Sequence, residues 1–338
     1  MTAPVERPTP DRFLDALNGF QRTEAVVAAL DLGLFAAIAR GASDIDSLAA
    51  ACRAAPRGMR ILSDFLVTIG LLDKSGARYA LTSETALYLD PASKAYLGEA
   101  RRFLNAATLR EGFAHLTEAV REGGTRLPSG GSMAAEHPVW IDYARGMAPM
   151  VARTAERIVD RLAATGAAPR RAIDLAAGHG LFGIAVARRF PGVTVTGVDW
   201  PEVLAVAREN ADRAGLGERY RLTPGDAFSL PIEGDWDLVL AANFLHHFDP
   251  ATIVRLLRRI APSLSPSGRV AIVEFVPNDD RVTPPAAAQF ALTLLATTGT
   301  GDLYTQAEYA SFLEAAGLRL TGAVRIERSP LSLLIAAR

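Results

Sequence analysis

An aspartate followed by small residues and three glycines stands out in this chain: Asp174-Leu175-Ala176-Ala177-Gly178-His179-Gly180-Leu181-Phe182-Gly183. Glycines spaced this way let a backbone approach a bound nucleotide closely. Two chemistries fit. Gly178-x-Gly180-x-x-Gly183 matches the fingerprint that cradles a dinucleotide pyrophosphate, and Asp199 follows at about the distance expected of a ribose-binding acid. Asp174, four residues before the first glycine, points the other way. A carboxylate there repels a phosphate and attracts a ligand that carries positive charge.

Further candidate strand ends carry matching chemistry. Asp199 can accept hydrogen bonds from two ribose hydroxyls, and the neighbouring Trp200 can lie against a base. Asp226 can accept from an adenine amino group, with Ala227 and Phe228 as packing partners. Asn243 and Phe244 close a fourth strand. In an open parallel sheet such ends converge on one crevice. S-adenosylmethionine (SAM) has an ammonium, a sulfonium and no phosphate. Asp174, Asp199 and Asp226 together therefore favour SAM over a nicotinamide dinucleotide. Gly183 then reads as a helix residue packed close on the sheet.

These residues need an α/β frame. From residue 171 the pattern alternates between strands and helices. Strands are expected over Ala172–Ala176, Thr194–Val198, Tyr220–Thr223, Asp237–Ala241 and Arg269–Phe275, giving a doubly wound parallel sheet. Leu318–Ile326 and Leu331–Ala336 read as an antiparallel hairpin added at its edge. Upstream, residues 11–40 read as helices from the spacing of Phe13, Leu14, Leu17, Phe20, Val26, Val27, Leu30, Leu34, Phe35 and Ile38. Ser43 is placed to cap a helix carrying Ile45 and Leu48, and Pro56 starts another that Gly70 stops. The run Leu71–Thr82, with its Ser-Gly turn, reads as a hairpin, which completes a winged helix. Two or three helices are expected over 91–165, the longest from about Pro138 to Ala163.

An acceptor pocket is expected beneath the 133–163 helix and the segment 286–304. Trp140, Tyr143, Met147, Met150, Phe244, His247, Phe290 and Leu294 are its candidate lining. Phe20 of a partner's helices is a further candidate. Such a lining suits an aromatic or polyketide-like molecule.

The 338 residues carry 36 basic and 37 acidic side chains, so no charge excess argues for nucleic acid or an anionic membrane. Arg53, Arg57 and Arg60 would lie on a recognition helix if the winged helix read DNA, but the charge balance favours a solvated face. Cys52 is the only cysteine, which suits a reducing compartment. Met1 to Arg12 is proline-rich and polar, without an apolar signal segment, and no run of about 20 apolar residues is present. A cytoplasmic protein is expected. Five histidines and one cysteine give no zinc-type ligand spacing, so no metal is expected.

With these motifs in place, the chain resembles class I SAM-dependent methyltransferases. More narrowly, it is similar to the caffeic-acid-type and bacterial natural-product O-methyltransferases over nearly its whole length. Ala29-Leu30-Asp31-Leu32-Gly33-Leu34-Phe35 and Tyr79-Ala80-Leu81-Thr82 match the family's winged-helix dimerisation domain. The family's Asp-x-Gly-x-Gly-x-Gly loop appears as Asp174 to Gly180, with Ala176 in place of a glycine. Asp199-Trp200-Pro201 and Gly225-Asp226-Ala227-Phe228 match two further segments. The resemblance implies a dimerisation domain over 1–100, a methyltransferase domain over 101–338 with linker and lid helices at 101–165, a homodimer, and a small-molecule acceptor.

It also implies a catalytic pair. His246, in Phe244-Leu245-His246-His247-Phe248-Asp249, takes the position of the family's general base, and Glu274 matches a glutamate that orients it. A phenol with a pKa of about 10 is a poor nucleophile at neutral pH, whereas a histidine near 6.5 can take its proton as the oxygen attacks the methyl group. Two departures stand out: His247 replaces an aspartate, and Leu303 stands where a second glutamate falls. The expected activity is O-methylation of a hydroxyl on a small aromatic or polyketide-like molecule. N- or C-methylation, a SAM-assisted reaction without methyl transfer, a SAM-sensing DNA-binding regulator and a nicotinamide oxidoreductase are the alternatives.

Overall fold

The computed structural model describes residues 8–338; residues 1–7 of the expected polar N-terminal stretch lie outside the described residues. The chain divides into two compact units, one ending at Arg101 and the other running Arg102–Arg338.

The first unit contains α1 (Asp11–Leu17), α2 (Gly19–Asp31), α3 (Leu34–Ala39), α4 (Ile45–Cys52), α5 (Pro56–Thr68), β1 (Leu72–Ser75), β2 (Arg78–Leu81) and α6 (Ser83–Tyr88). Leu34, Phe35, Leu48, Met59, Leu66, Leu72 and Tyr79 form its core. Asp44, not Ser43, caps α4: its carboxylate accepts from the Ser47 N–H, and the Ser47 hydroxyl reciprocates. Ser43 has another task, since its carbonyl accepts the Tyr79 N–H and ties the β-hairpin to the helices. The arginines are not a bare recognition face. Arg53 ends α4 in a left-handed conformation, and Arg60 pairs with Asp64, which also binds Lys74 and the Tyr79 hydroxyl. By contrast, Phe13, Leu14, Leu17 and Phe20 present an exposed apolar stripe, with Phe13 and Phe20 63% and 64% accessible.

The second unit opens with α7 (Arg101–Leu104) at the boundary, α8 (Ala107–Ala114), α9 (Leu116–Glu122) and the long α10 (Val139–Ala163). The alternating part follows: β3 (Arg171–Leu175), α11 (Leu181–Arg189), β4 (Thr194–Asp199), α12 (Pro201–Arg213), β5 (Tyr220–Pro224), β6 (Trp236–Ala242), α13 (Pro250–Ile260), β7 (Leu264–Glu274), α14 (Pro285–Thr297), α15 (Gln306–Ala315), β8 (Arg319–Arg325) and β9 (Ser332–Ala337). The sheet order is β5-β4-β3-β6-β7-β9-β8. Its first five strands are parallel, and the hairpin adds β9 and β8 antiparallel at the edge. The α10, α11 and α12 helices bury one face, and α13 and α15 bury the other. The strands are accordingly apolar in continuous runs, as in β6 and β7. β7 begins five residues before the expected Arg269, because Ser265-Pro266-Ser267-Gly268 stays in the strand across a register shift opposite Trp236. Among the described residues no helix is long and apolar enough to cross a membrane.

Strand order reverses between β3 and β6, so their carboxyl ends open a crevice. Gly183 brings α11 down onto this sheet. A Cβ there would stand 2.9 Å from Asp174 Oδ2 and Tyr220 Cε2, and 3.0 Å from Val195 Cγ1. Gly183→Ala should therefore lower stability by about 1–3 kcal/mol in urea unfolding. An unchanged midpoint would show that the helix has room to move.

Candidate active site

Three neighbouring cavities open at the carboxyl ends of the strands. An outer one of about 290 Å³ lies among Asp199, Trp200, Gly225, Asp226, Ala227, Phe228 and Phe248. A middle one of about 80 Å³ lies among Ala177, Gly178, His179, Phe182, Asp199, Asn243 and His247. A third, apolar cavity of about 250 Å³ is bounded by α10, α14 and the residues after β6. Trp140 borders all three.

Backbone turns shape the first two. After β3 the chain passes through Ala176 at φ 52° and Gly178 at φ 57° before α11 begins. The Gly178 N–H donates to Asp199 Oδ2 at 2.7 Å, and the Trp200 N–H donates to Asp199 Oδ1 at 2.7 Å. Each oxygen keeps acceptor capacity toward the cavity. Burial pushes Asp199 up to about 6, against the pull of those two N–H groups. Asp226 Oδ1 accepts from the Phe228 N–H at 2.9 Å and borders the outer cavity. The two glycines differ in function. A Cβ on Gly178 would face the Tyr143 ring, whereas one on Gly180 would stand 2.9 Å from the Tyr220 hydroxyl and 3.1 Å from Ala207 Cβ. Gly180 therefore serves packing.

Asp174 does not act as the sequence reading expects. Its side chain is 1% exposed, accepts the Gly183 N–H at 3.0 Å and borders none of the three cavities. Burial pushes it up to about 8, opposed by the Gly183 bond and reinforced by the Asp199 charge. Its contact with the Gly183 N–H holds the loop to the helix, and the side chain lies behind the cavity walls instead of in them.

The turn after β6 is built around Glu274, the last residue of β7. Parallel pairing sets Ala242 opposite Val273 and leaves Glu274 beneath the turn that follows β6. Glu274 Oε1 accepts from the backbone N–H groups of Phe244 at 3.0 Å, Leu245 at 2.9 Å and His246 at 3.4 Å. Its Oε2 is 2.5 Å from His246 Nδ1. A carboxylate only accepts, so Nδ1 carries the proton and Nε2 is left basic. His246 borders the apolar cavity, where its ring meets Phe290 edge-on at 4.9 Å. His247 borders both this cavity and the middle one; burial and then the neighbouring His246 hold it well below the usual imidazole range.

Trp140, Tyr143, Met147, Met150, Phe290 and Leu294 all line the apolar cavity. Phe244 does not; it lines the outer and middle cavities, near Phe228 and Phe248. Phe103, Leu109, Phe275 and Leu331 line the apolar cavity without a signal in their spacing, because distant elements bring them there, whereas Thr154 and Thr293 extend the expected α10 and 286–304 walls. Met133 and His179 line the middle cavity, His179 from within the glycine loop. Leu303 is buried against Ala287 and Leu294. Among the described residues no group of three His, Cys, Asp or Glu side chains is arranged to hold a metal.

The Asp174 environment sets a pH dependence. Its native value lies above the roughly 3.9 of an unfolded aspartate, so the native state binds this proton more tightly. The stability contributed by this group should fall as pH rises from about 4 to about 8 and level off above. Asp174→Asn should flatten the decline between about pH 6 and 8 in urea unfolding, a window above the Asp199 value. An equal slope in both proteins would exclude Asp174 as its source.

Comparison with known proteins agrees with this architecture. Residues 113–319 match the O-methyltransferase domain family, and residues 14–91 match the O-methyltransferase dimerisation domain. The 3-hydroxy-5-methyl-1-naphthoate 3-O-methyltransferase of Streptomyces sahachiroi is 30% identical over 319 residues, covering 94% of this chain and 91% of its own. The mitomycin biosynthesis 6-O-methyltransferase of Streptomyces lavendulae is 31% identical, covering 90% and 88%. A candidate O-methyltransferase from Nostoc punctiforme superposes with a TM-score of 0.94 at 43% identity, over 98% of this chain and 100% of its own. Human N-acetylserotonin methyltransferase, solved with SAM, shares the fold at TM-score 0.84 and 23% identity, over 99% of each chain. With its helical and hairpin first unit and its parallel-sheet second unit matched in turn, the chain belongs to the O-methyltransferase family.

Proposed function

We propose that the protein methylates a hydroxyl of a small, uncharged aromatic or polyketide-like molecule, using SAM, with His246 as general base. The observation that carries this reading is the His246–Glu274 pair at the edge of an apolar cavity that adjoins a nucleotide-sized one. The residues present fit SAM: Asp199 offers acceptor capacity for ribose hydroxyls, Asp226 for an adenine amino group, and Trp200 and Phe228 flank them. SAM supplies an electrophilic methyl group when bound. The protein positions the acceptor and manages one proton. Glu274 fixes the His246 tautomer, and Nε2 takes the hydroxyl proton. The surrounding Phe103, Trp140, Met147, Phe290 and Leu294 exclude water and favour a flat apolar molecule. No Lys, Arg, Asp or Glu lines that cavity, so a charged acceptor would enter it unpaired. The Streptomyces relatives named for naphthoate and mitomycin chemistry support the aromatic character of the acceptor, while its lack of charge rests on the cavity lining alone.

His246→Ala should lower kcat by about 10²- to 10⁴-fold with the SAM affinity retained. Unchanged turnover in a methyl-transfer assay over a panel of phenols would remove the general-base role. SAM consumption without a methylated product would refute the activity itself.

We also propose a homodimer closed through the first unit, supported by the exposed Phe13, Leu14, Leu17 and Phe20 and by the dimerisation-domain match. Light scattering should give twice the chain mass, and Phe13→Asp with Leu17→Asp should give the monomer. A wild-type monomer, or a dimer unaffected by both changes, would overturn this.

A further inference from the structure

The loop after β5, which carries Asp226 and Phe228, is tied to a helix by one arginine. The chain turns at Asp226, whose Oδ1 accepts the Phe228 N–H at 2.9 Å and whose carbonyl accepts the Ser229 and Leu230 N–H groups at 3.1 and 2.9 Å. Among the described residues this leaves the carbonyls of Ala227, Phe228 and Leu230 without main-chain partners. All three go to Arg259 of α13. Its Nη1 donates to the Ala227 carbonyl at 3.0 Å and to that of Phe228, and its Nη2 donates to that of Leu230 at 2.6 Å. Among the described residues no carboxylate pairs with Arg259, so its donors serve this loop. The helix beneath it is firmly seated: Ile253, Leu256, Leu257 and Ile260 are buried, and Asp249 caps the first turn at the Thr252 N–H. Arg255, one turn earlier, sets its guanidinium 5.8 Å from the centre of the Phe228 ring. Packing does not do the same for the loop. A cavity of about 230 Å³ separates Ala227, Leu230 and Ile232 from the strand residues Ile173, Thr196 and Thr223. A loop over a void forgoes dispersion attraction from that side, so its place depends on its hydrogen bonds.

We infer that Arg259 is a positioning residue for the adenine end of the cofactor site: by holding the three carbonyls it sets where Asp226 and Phe228 stand in the outer cavity. This rests on the SAM reading above, in which Asp226 accepts from the adenine amino group. Arg259 itself borders none of the three cavities, so it acts through the loop and not on a ligand. A guanidinium suits this task because its planar fork reaches several acceptors in fixed directions, whereas an ammonium is a single point of contact. Without it the loop is free to shift over the void. Recognition of the amino group would fail first, because a hydrogen bond to one carboxylate weakens steeply with distance and angle.

Calorimetry with two probes separates this role from a structural one. S-adenosylhomocysteine carries the adenine amino group; its deamino analogue has hydrogen in that place and is otherwise identical. The wild-type protein should bind the first about ten- to a hundredfold more tightly, because the analogue leaves Asp226 without a donor. Arg259→Met keeps an aliphatic stem and removes the guanidinium. In this variant the preference should fall to within about threefold, through weaker binding of S-adenosylhomocysteine. Arg259→Lys, with one ammonium for three carbonyls, should give a preference between the two. Equal losses for both probes with the preference intact, or no loss for either, would overturn the assignment while leaving the SAM site standing. A wild-type protein that binds both probes equally would remove the Asp226 contact and this inference with it. One that binds neither S-adenosylhomocysteine nor SAM would overturn the SAM reading as well. Should Arg259→Met not fold, Arg259→Lys decides, and an unchanged preference in it would refute the role.

Discussion

The turn after β6, at the carboxyl edge of the sheet, depends on one buried carboxylate. Glu274 is shielded from water, and a charge in that position is tolerated only when its oxygens are filled by donors. Three consecutive backbone N–H groups fill one oxygen, and the His246 ring fills the other. The same contacts fold the 244–247 turn, choose the histidine tautomer and hold the His246 ring at the border of the apolar cavity. Loss of the carboxylate would leave three N–H donors and one imidazole without partners, so the turn and the chemistry stand together. The arrangement needs parallel pairing of β6 with β7, because that register alone brings residue 274 under residue 244.

A second constraint is dryness at the glycine loop. Asp174 looks like an anion placed for a cationic ligand when only its neighbours in the chain are known. In the folded protein it lies beneath the loop and is consumed by the Gly183 N–H. The close approach of α11 that Gly183 permits is what buries it. The polar groups that do face the cavity are others: Asp199, whose two oxygens each take one backbone donor, and His179 and Asn243, whose Nε2 and Oδ1 have no partner in the protein. The middle cavity's wall carries one aspartate and no lysine or arginine, a balance that suits a positively charged ligand.

The acceptor cavity shows how a sequence stripe becomes a site. Trp140, Tyr143, Met147 and Met150 recur along α10 at helical spacing, so their common face was legible. The opposite wall was not. Leu331 enters from the turn between β8 and β9, and Phe275 from just beyond β7. Thr125 and Ser132 bond the last carbonyls of α14 and so fix the loop over the cavity, a contact between residues about 170 positions apart. Phe244 illustrates the reverse: its position after β6 was right, but the turn around Glu274 swings it to the cofactor side.

The sequence by itself determined the parts that local periodicity and spacing encode. The winged-helix elements, the five parallel strands, the edge hairpin and the strand-end aspartates were readable because each depends on a few neighbouring residues, as did the role of Gly183 in helix packing. It also named His246 and Glu274, through resemblance rather than through any spacing between them. What only the tertiary structure decided is the state of each polar group. Whether Asp174 faces a ligand or lies behind the loop, whether Gly180 serves a ligand or Tyr220, and whether His179 is only a loop residue or also lines a cavity depend on solvent exclusion and on partners from distant strands. Those quantities are set by the packing of elements far apart in the chain, and residue spacing carries no record of them.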